Sequence, residues 1–202
     1  MGRQARPVPA ALGFRVKSGW ATAVLIAGPV SSPSLLDRRV VLLSDPAVPE
    51  SKQPYHAALD VPEKDGRKIV ETLRRIVERA AKRAVTDLLK DSSGAGRAVR
   101  AAALVVGSQM DPATLHNEHI RAHALEGQLF RTVLEDALRS YGIPCSVLVE
   151  KTAYGTAAAE LGHPESEAKR VVAALGDAHD GPWRAEEKLA AVAAWMMLAK
   201  RR

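Results

Sequence analysis

A mixed α/β sheet, antiparallel at its start, parallel at its end and flanked by helices, is the architecture this sequence predicts. Three patterns carry that expectation: paired apolar runs near the start, a long helical period after residue 63, and two short apolar runs separated by a second helical period. The chain has 202 residues, 47% hydrophobic and 26% charged, so residues 1–202 read as one domain with a real core and short flexible basic ends. Only 4% of residues are aromatic, so that core must rest on Ala, Val and Leu.

Phe14 to Ala27 reads FRVKSGWATAVLIA, with Ser18-Gly19 either a tight turn or a bend within one long strand. Gly28 to Ser34 is a loop by composition, and Arg38 to Ser44 is a short strand ended by Asp45-Pro46. These make an antiparallel hairpin or meander. Asp60-Val-Pro-Glu63 has the form of a capped helix start. From there apolar residues recur at three- and four-residue steps from Ile69 to Leu89, a helix of about 25 residues closed by Asp91 to Gly96. Ala102 to Val106 is the uninterrupted run of a strand buried on both faces. A second helix is expected from about Glu118 to Ser140, then the strand CSVLVE, then helices over Glu165 to Leu175 and Glu186 to Lys200. The strand–helix–strand piece requires a crossover, which makes its two strands parallel.

Lys and Arg outnumber Asp and Glu by 29 to 23, a net charge of +6 that suits phosphates or an acidic partner. Part of the excess sits at the ends, in Arg3, Arg6, Lys200, Arg201 and Arg202. The single cysteine, Cys145, excludes an intramolecular disulfide and a cysteine-rich zinc module, and reads as a small buried hydrophobe. The start lacks the order of a signal peptide, and no run of about 18 apolar residues suggests a membrane span. A cytoplasmic protein is expected.

The element order resembles the ribonuclease H-like superfamily: a three-strand meander, a helix, then alternating strands and helices. The last third, VEKTAYGTAAAELGHPESEAKRVVAALGDAHD from Val149 to Asp180, resembles RuvC-type Holliday-junction resolvases in its strand, small-residue stretch, Lys-bearing helix and terminal Asp-x-x-Asp. That resemblance implies a ribonuclease H-like sheet. It also implies two divalent ions held by carboxylates of the first strand, a central strand and the last helix, for phosphodiester hydrolysis. Most of those carboxylates are missing. The first strand offers Val16, Lys17 and Ser18, and the central strand Leu104, Val105 and Val106. Acids remain only in the last element, either Asp177 and Asp180 or Glu186 and Glu187. An ammonium at Lys17 repels Mg²⁺.

Other residues could carry chemistry. His116, His119, His123 and Glu126 are spaced to share one helix face. His119, His123 and Glu126 could hold a divalent metal, or His123 and Glu126 an acid/base pair. Ser108 and Asp111 follow the central strand at the carboxyl edge, where open sheets place ligands. The loop Tyr154-Gly155-Thr156 and Lys151 are expected at the same edge, without a Walker or G-x-G-x-x-G sequence. Arg74, Arg75, Arg79, Lys82 and Arg83 give the long helix a basic face interleaved with Glu71, Glu78 and Asp87. Trp183, Trp195, Met196 and Met197 read as core or as a homodimer or assembly contact.

The leading expectation is a catalytically degenerate nuclease relative that binds nucleic acid or a protein partner. The alternative is an enzyme acting on a small or phosphorylated substrate through Lys17, Ser108, His123 and Glu126, with or without a metal. Under the resemblance, Asp177 and Asp180, or else Glu186 and Glu187, would be the acids left from a resolvase-type site.

Overall fold

The computed structural model describes residues 7–200, and the basic ends Arg3, Arg6, Arg201 and Arg202 lie outside them. Strands β1 (Val8–Lys17), β2 (Trp20–Ala27) and β3 (Ser34–Leu42) form an antiparallel meander. Helix α1 (Glu63–Gly94) leads to β4 (Arg97–Val106), and α2 (Glu118–Ser140) crosses to β5 (Cys145–Val149). Three helices follow: α3 (Ala153–Leu161), α4 (Glu165–Leu175) and α5 (Ala185–Ala199). The sheet order is β3-β2-β1-β4-β5, with β4 parallel to both β1 and β5. The mixed α/β sheet read from the sequence is therefore the observed one.

Ser18-Gly19 is a tight turn, since Lys17 pairs with Trp20 and Gly19 takes φ 82°, a left-handed value that favours glycine. The Gly19 carbonyl then accepts from the Leu43 N–H at 2.9 Å and the Ser44 hydroxyl at 3.0 Å, tying the turn to the end of the meander. Helix α1 is longer than its apolar period implies, because Ser92, Ser93 and Gly94 continue it. Asp60 does not cap it: Pro62 holds the N-cap position and no side chain bonds there. At α2 the local signal is obeyed, with Asn117 Oδ1 accepting from the Ile120 N–H at 3.0 Å.

The sheet is buried on both faces. Leu12, Phe14 and Val16 of β1 pack with Val77, Ala81 and Val85 of α1 and Phe130, Leu134 and Leu138 of α2. Ala11, Ala103 and Val105 face the other way, against α3, α4 and α5. Helix α5 is apolar all round and buried from Leu189 to Met197, as a helix enclosed by a sheet and other helices should be. Trp195 is 1% exposed and donates Nε1–H to the Val30 carbonyl at 2.8 Å. Trp195, Met196 and Met197 are therefore core, which removes them as a homodimer or assembly contact. No helix among the described residues is long and apolar enough to cross a membrane.

Small residues let α5 lie close to the sheet. A Cβ at Gly13 would fall 1.8 Å from the Ala190 carbonyl oxygen and 2.7 Å from the Ala194 nitrogen, both backbone atoms. Neither can move without shifting the helix. Gly13→Ala should therefore cost about 3 kcal/mol or more, at the upper end of overpacking, and a urea melt with near-wild-type stability would contradict the packing.

Cys145, on edge strand β5, is half-buried, and its thiol is pushed up to about 12, by burial first and the Glu135 carboxylate second. A thiol raised so far is neutral at ordinary pH and a poor nucleophile. Ellman's reagent at pH 8 should leave native Cys145 unmodified and react fully once urea unfolds the chain; fast native reaction would contradict this.

Candidate functional site

The carboxyl ends of β1 and β4 open into a cleft of about 510 Å³. Its walls are the end of β1 (Arg15–Ser18), the segment after β4 (Gly107–Pro112), and α2 residues including His123, Gln128 and Arg131. This is where parallel strands end and diverge, the usual ligand position in an open α/β sheet.

Arg15 dominates the floor. It is 3% exposed, and its Nη1–H donates to the Val16 carbonyl at 2.6 Å and the Val105 carbonyl at 3.4 Å. Its Nη2–H donates to Glu150, the residue that follows β5. Alternation along β1 puts Arg15 and Lys17 on the side opposite Phe14 and Val16, which are core. Arg15 was not among the residues singled out from the sequence. The available signal was a charged residue inside an otherwise apolar strand, which needs a buried partner.

Lys17 lines the cleft, and its Nζ lies 4.0 Å from Glu186 at the start of α5. Arg131 lines the opposite wall with Glu135 3.6 Å away. Ser108 lies at the rim, exposed, and Asp111 spends one carboxylate oxygen accepting from the Ala113 N–H at 2.9 Å. The lining therefore holds the cations Arg15, Lys17 and Arg131 against the single acid Asp111.

Asp177 and Asp180 do not line this cleft. They sit beyond α4, where Arg38 of edge strand β3 donates to the Asp180 and Pro182 carbonyls. Strand β3 is separated from β1 by β2, so two strand spacings, about 10 Å, intervene. The Asp180 backbone therefore meets the β3 edge, and neither aspartate is part of this cleft's lining. The last-element acid nearest the cleft is Glu186, whereas Glu187 accepts from the Arg184 N–H and lies 3.9 Å from Arg38. Tyr154-Gly155-Thr156 is not a loop but the first turn of α3, and Lys151 is exposed beside it.

His119 and His123 share a face of α2 as their spacing implied, and His123 reaches the cleft lining. His116 precedes the helix and is exposed. Glu126 is 0% exposed and does not join their rings as an equal: its Oε1 accepts from the Nδ1 and backbone N–H of His56, at 2.8 and 3.3 Å, while its Oε2 is 3.8 Å from His123 Nδ1. His56, from the β3–α1 connection, completes a cluster of three imidazoles with His119 and His123. Nothing local in the sequence marked it, since it lies 70 residues from Glu126.

On the α1 face the basic character is partly neutralised. Arg74 is held by Glu71 and Glu78, and Arg75 by Glu71 at 3.1 Å. The Glu71 carboxyl is kept below its usual range by Arg74 first and also by Arg75.

No protein-family model and no curated protein matches the chain. Among solved structures it is similar to Thermus thermophilus RuvC in complex with a Holliday junction substrate, at 13% identity over 93% of this chain and 90% of that one, TM-score 0.50. The yeast mitochondrial Holliday junction resolvase is also similar, at 10% identity over 96% of this chain and 79% of that one, TM-score 0.46. The first likeness, with the sheet order, establishes the ribonuclease H-like fold.

The Arg15–Glu150 pair yields a direct expectation. Removing the carboxylate leaves a guanidinium buried without its counter-charge, and since Glu150 is 44% exposed the cost is moderated by solvent. Glu150→Gln should destabilise by about 1–2 kcal/mol, seen as a Tm lower by roughly 2–8 °C. An unchanged melting curve would show the pair to be incidental.

Proposed function

We propose that this protein binds nucleic acid through its cleft and does not hydrolyse it by the two-metal route. The observation that supports this reading is the charge at the end of β1. Arg15 and Lys17 end β1, the strand from which the resemblance expects an acidic ligand, and Arg131 lines the same cleft from α2. Guanidinium and ammonium groups attract phosphate and repel divalent cations, so this end of β1 suits a phosphodiester directly. The net charge of +6 acts in the same direction at longer range.

In this reading Lys17 and Arg131 exchange their neighbours Glu186 and Glu135 for backbone phosphates, while buried Arg15, paired with Glu150, holds the end of β1 in place. Such contacts read no sequence, so affinity falls with salt according to the number of phosphates neutralised. Branched nucleic acid is the favoured ligand, since the RuvC of similar fold was solved on a Holliday junction substrate.

The alternative, an enzyme acting on a small phosphorylated substrate, keeps one supporting observation: His123 and Ser108 line the same cleft as Lys17. Turnover of phosphomonoesters lost in Ser108→Ala or His123→Ala would favour it.

Fluorescence anisotropy with branched, duplex and single-stranded DNA across a salt series tests the main reading. Tightest binding to the branched form is expected, with a log–log salt slope that becomes shallower by about 1–2 in Lys17→Glu/Arg131→Glu. No binding at low salt, or Mg²⁺-dependent cleavage of the DNA, would refute the proposal.

A further inference from the structure

The three imidazoles beside the cleft call for an explanation of their own. His56 comes from a short 3-10 turn before α1, and His119 and His123 stand one turn apart on α2. One ring nitrogen of each lies within 4.8 Å of the other two, and the ring centroids are 4.2–4.8 Å apart. An ordinary His56–Glu126 pair would account for one ring. It gives no reason for two more, both exposed, to converge on the first.

The buried carboxylate supplies the second observation. Glu126 takes the Nδ1–H of His56, which fixes that tautomer and leaves the Nε2 lone pair directed away from it. That Nε2 is buried and has no hydrogen-bond partner among the described residues, and neither has Glu126 Oε2. A lone pair held ready by a carboxylate behind the ring is the arrangement of a metal-binding histidine with its outer partner.

We infer that His56, His119 and His123 bind one divalent transition-metal ion, zinc in preference, with Glu126 orienting His56 from behind. Three neutral imidazoles suit zinc, cobalt or nickel and not magnesium. Zinc–nitrogen bonds of 2.0–2.1 Å set tetrahedral ligand atoms about 3.3 Å apart. The two exposed rings on α2 can close to that spacing by side-chain rotation. Three protein ligands leave a fourth position for water or a substrate atom, the pattern of catalytic rather than purely structural zinc. His123 also lines the cleft, so the ion borders it. The inference does not rest on nucleic-acid binding, because none of the cleft cations takes part in it.

Full-length protein stripped with EDTA, titrated with Zn²⁺ by calorimetry and with Co²⁺ by visible absorption, decides the matter. One ion per chain is expected, with a low-symmetry four- or five-coordinate cobalt spectrum. His119→Ala and His123→Ala, whose side chains are exposed and should not disturb folding, should each weaken binding on the order of 100-fold or more. Glu126→Gln should weaken it by about 10–100-fold at unchanged stoichiometry. Melting curves in EDTA establish that each variant is folded. Failure of the wild type to take up Zn²⁺ overturns the inference, as does unchanged affinity in both histidine variants. Neither result depends on the outcome of the DNA titrations.

Discussion

A guanidinium buried at the carboxyl end of a central strand sets the character of this molecule. Arg15 sits where β1 and β4 finish, nearly inaccessible to water, held by strand carbonyls and by Glu150 from the end of the neighbouring strand β5. A charge placed there needs a counter-charge at that depth, and Glu150 supplies it. Lys17 and Arg131 extend the same sign outward to positions that solvent reaches. The cleft at this edge of the sheet is thus lined by three cations, each with a carboxylate partner just outside the lining.

The scaffold that holds Arg15 rigid is made of small residues. With few aromatics available, density comes from close approach: α5 crosses β1 directly over Gly13, with Ala190 and Ala194 against the strand. Phe14 and Phe130 fill the opposite face, between the sheet and α2. Both faces of the central strands are thereby closed to water, which leaves only their ends for polar chemistry.

The histidine cluster borders this cleft from the α2 side, where His123 is part of the lining. Two of its rings are consecutive turns of α2, and the third arrives from the segment that joins the meander to α1. Helical spacing puts Glu126 on the histidine face, and the structure shows it fully buried there with its Oε1 accepting from His56 Nδ1. Its difference from the two histidines of α2 is one of side-chain direction: residues three apart share a face, but the inner edge of that face points into the core and the outer edge into solvent.

Periodicity and turn chemistry were enough to determine the mixed sheet, the helices around it, the Ser18-Gly19 turn as one of two options, and the absence of acids from the first and central strands. These are properties of short segments, governed by side-chain pattern within a few residues. The pairing of Arg15 with Glu150, the arrival of His56 at α2, and the contact of the Asp180 carbonyl with Arg38 of β3 were decided by tertiary structure. Each joins residues 63 or more positions apart or depends on strand order, and no local periodicity encodes which distant segment a chain will fold against.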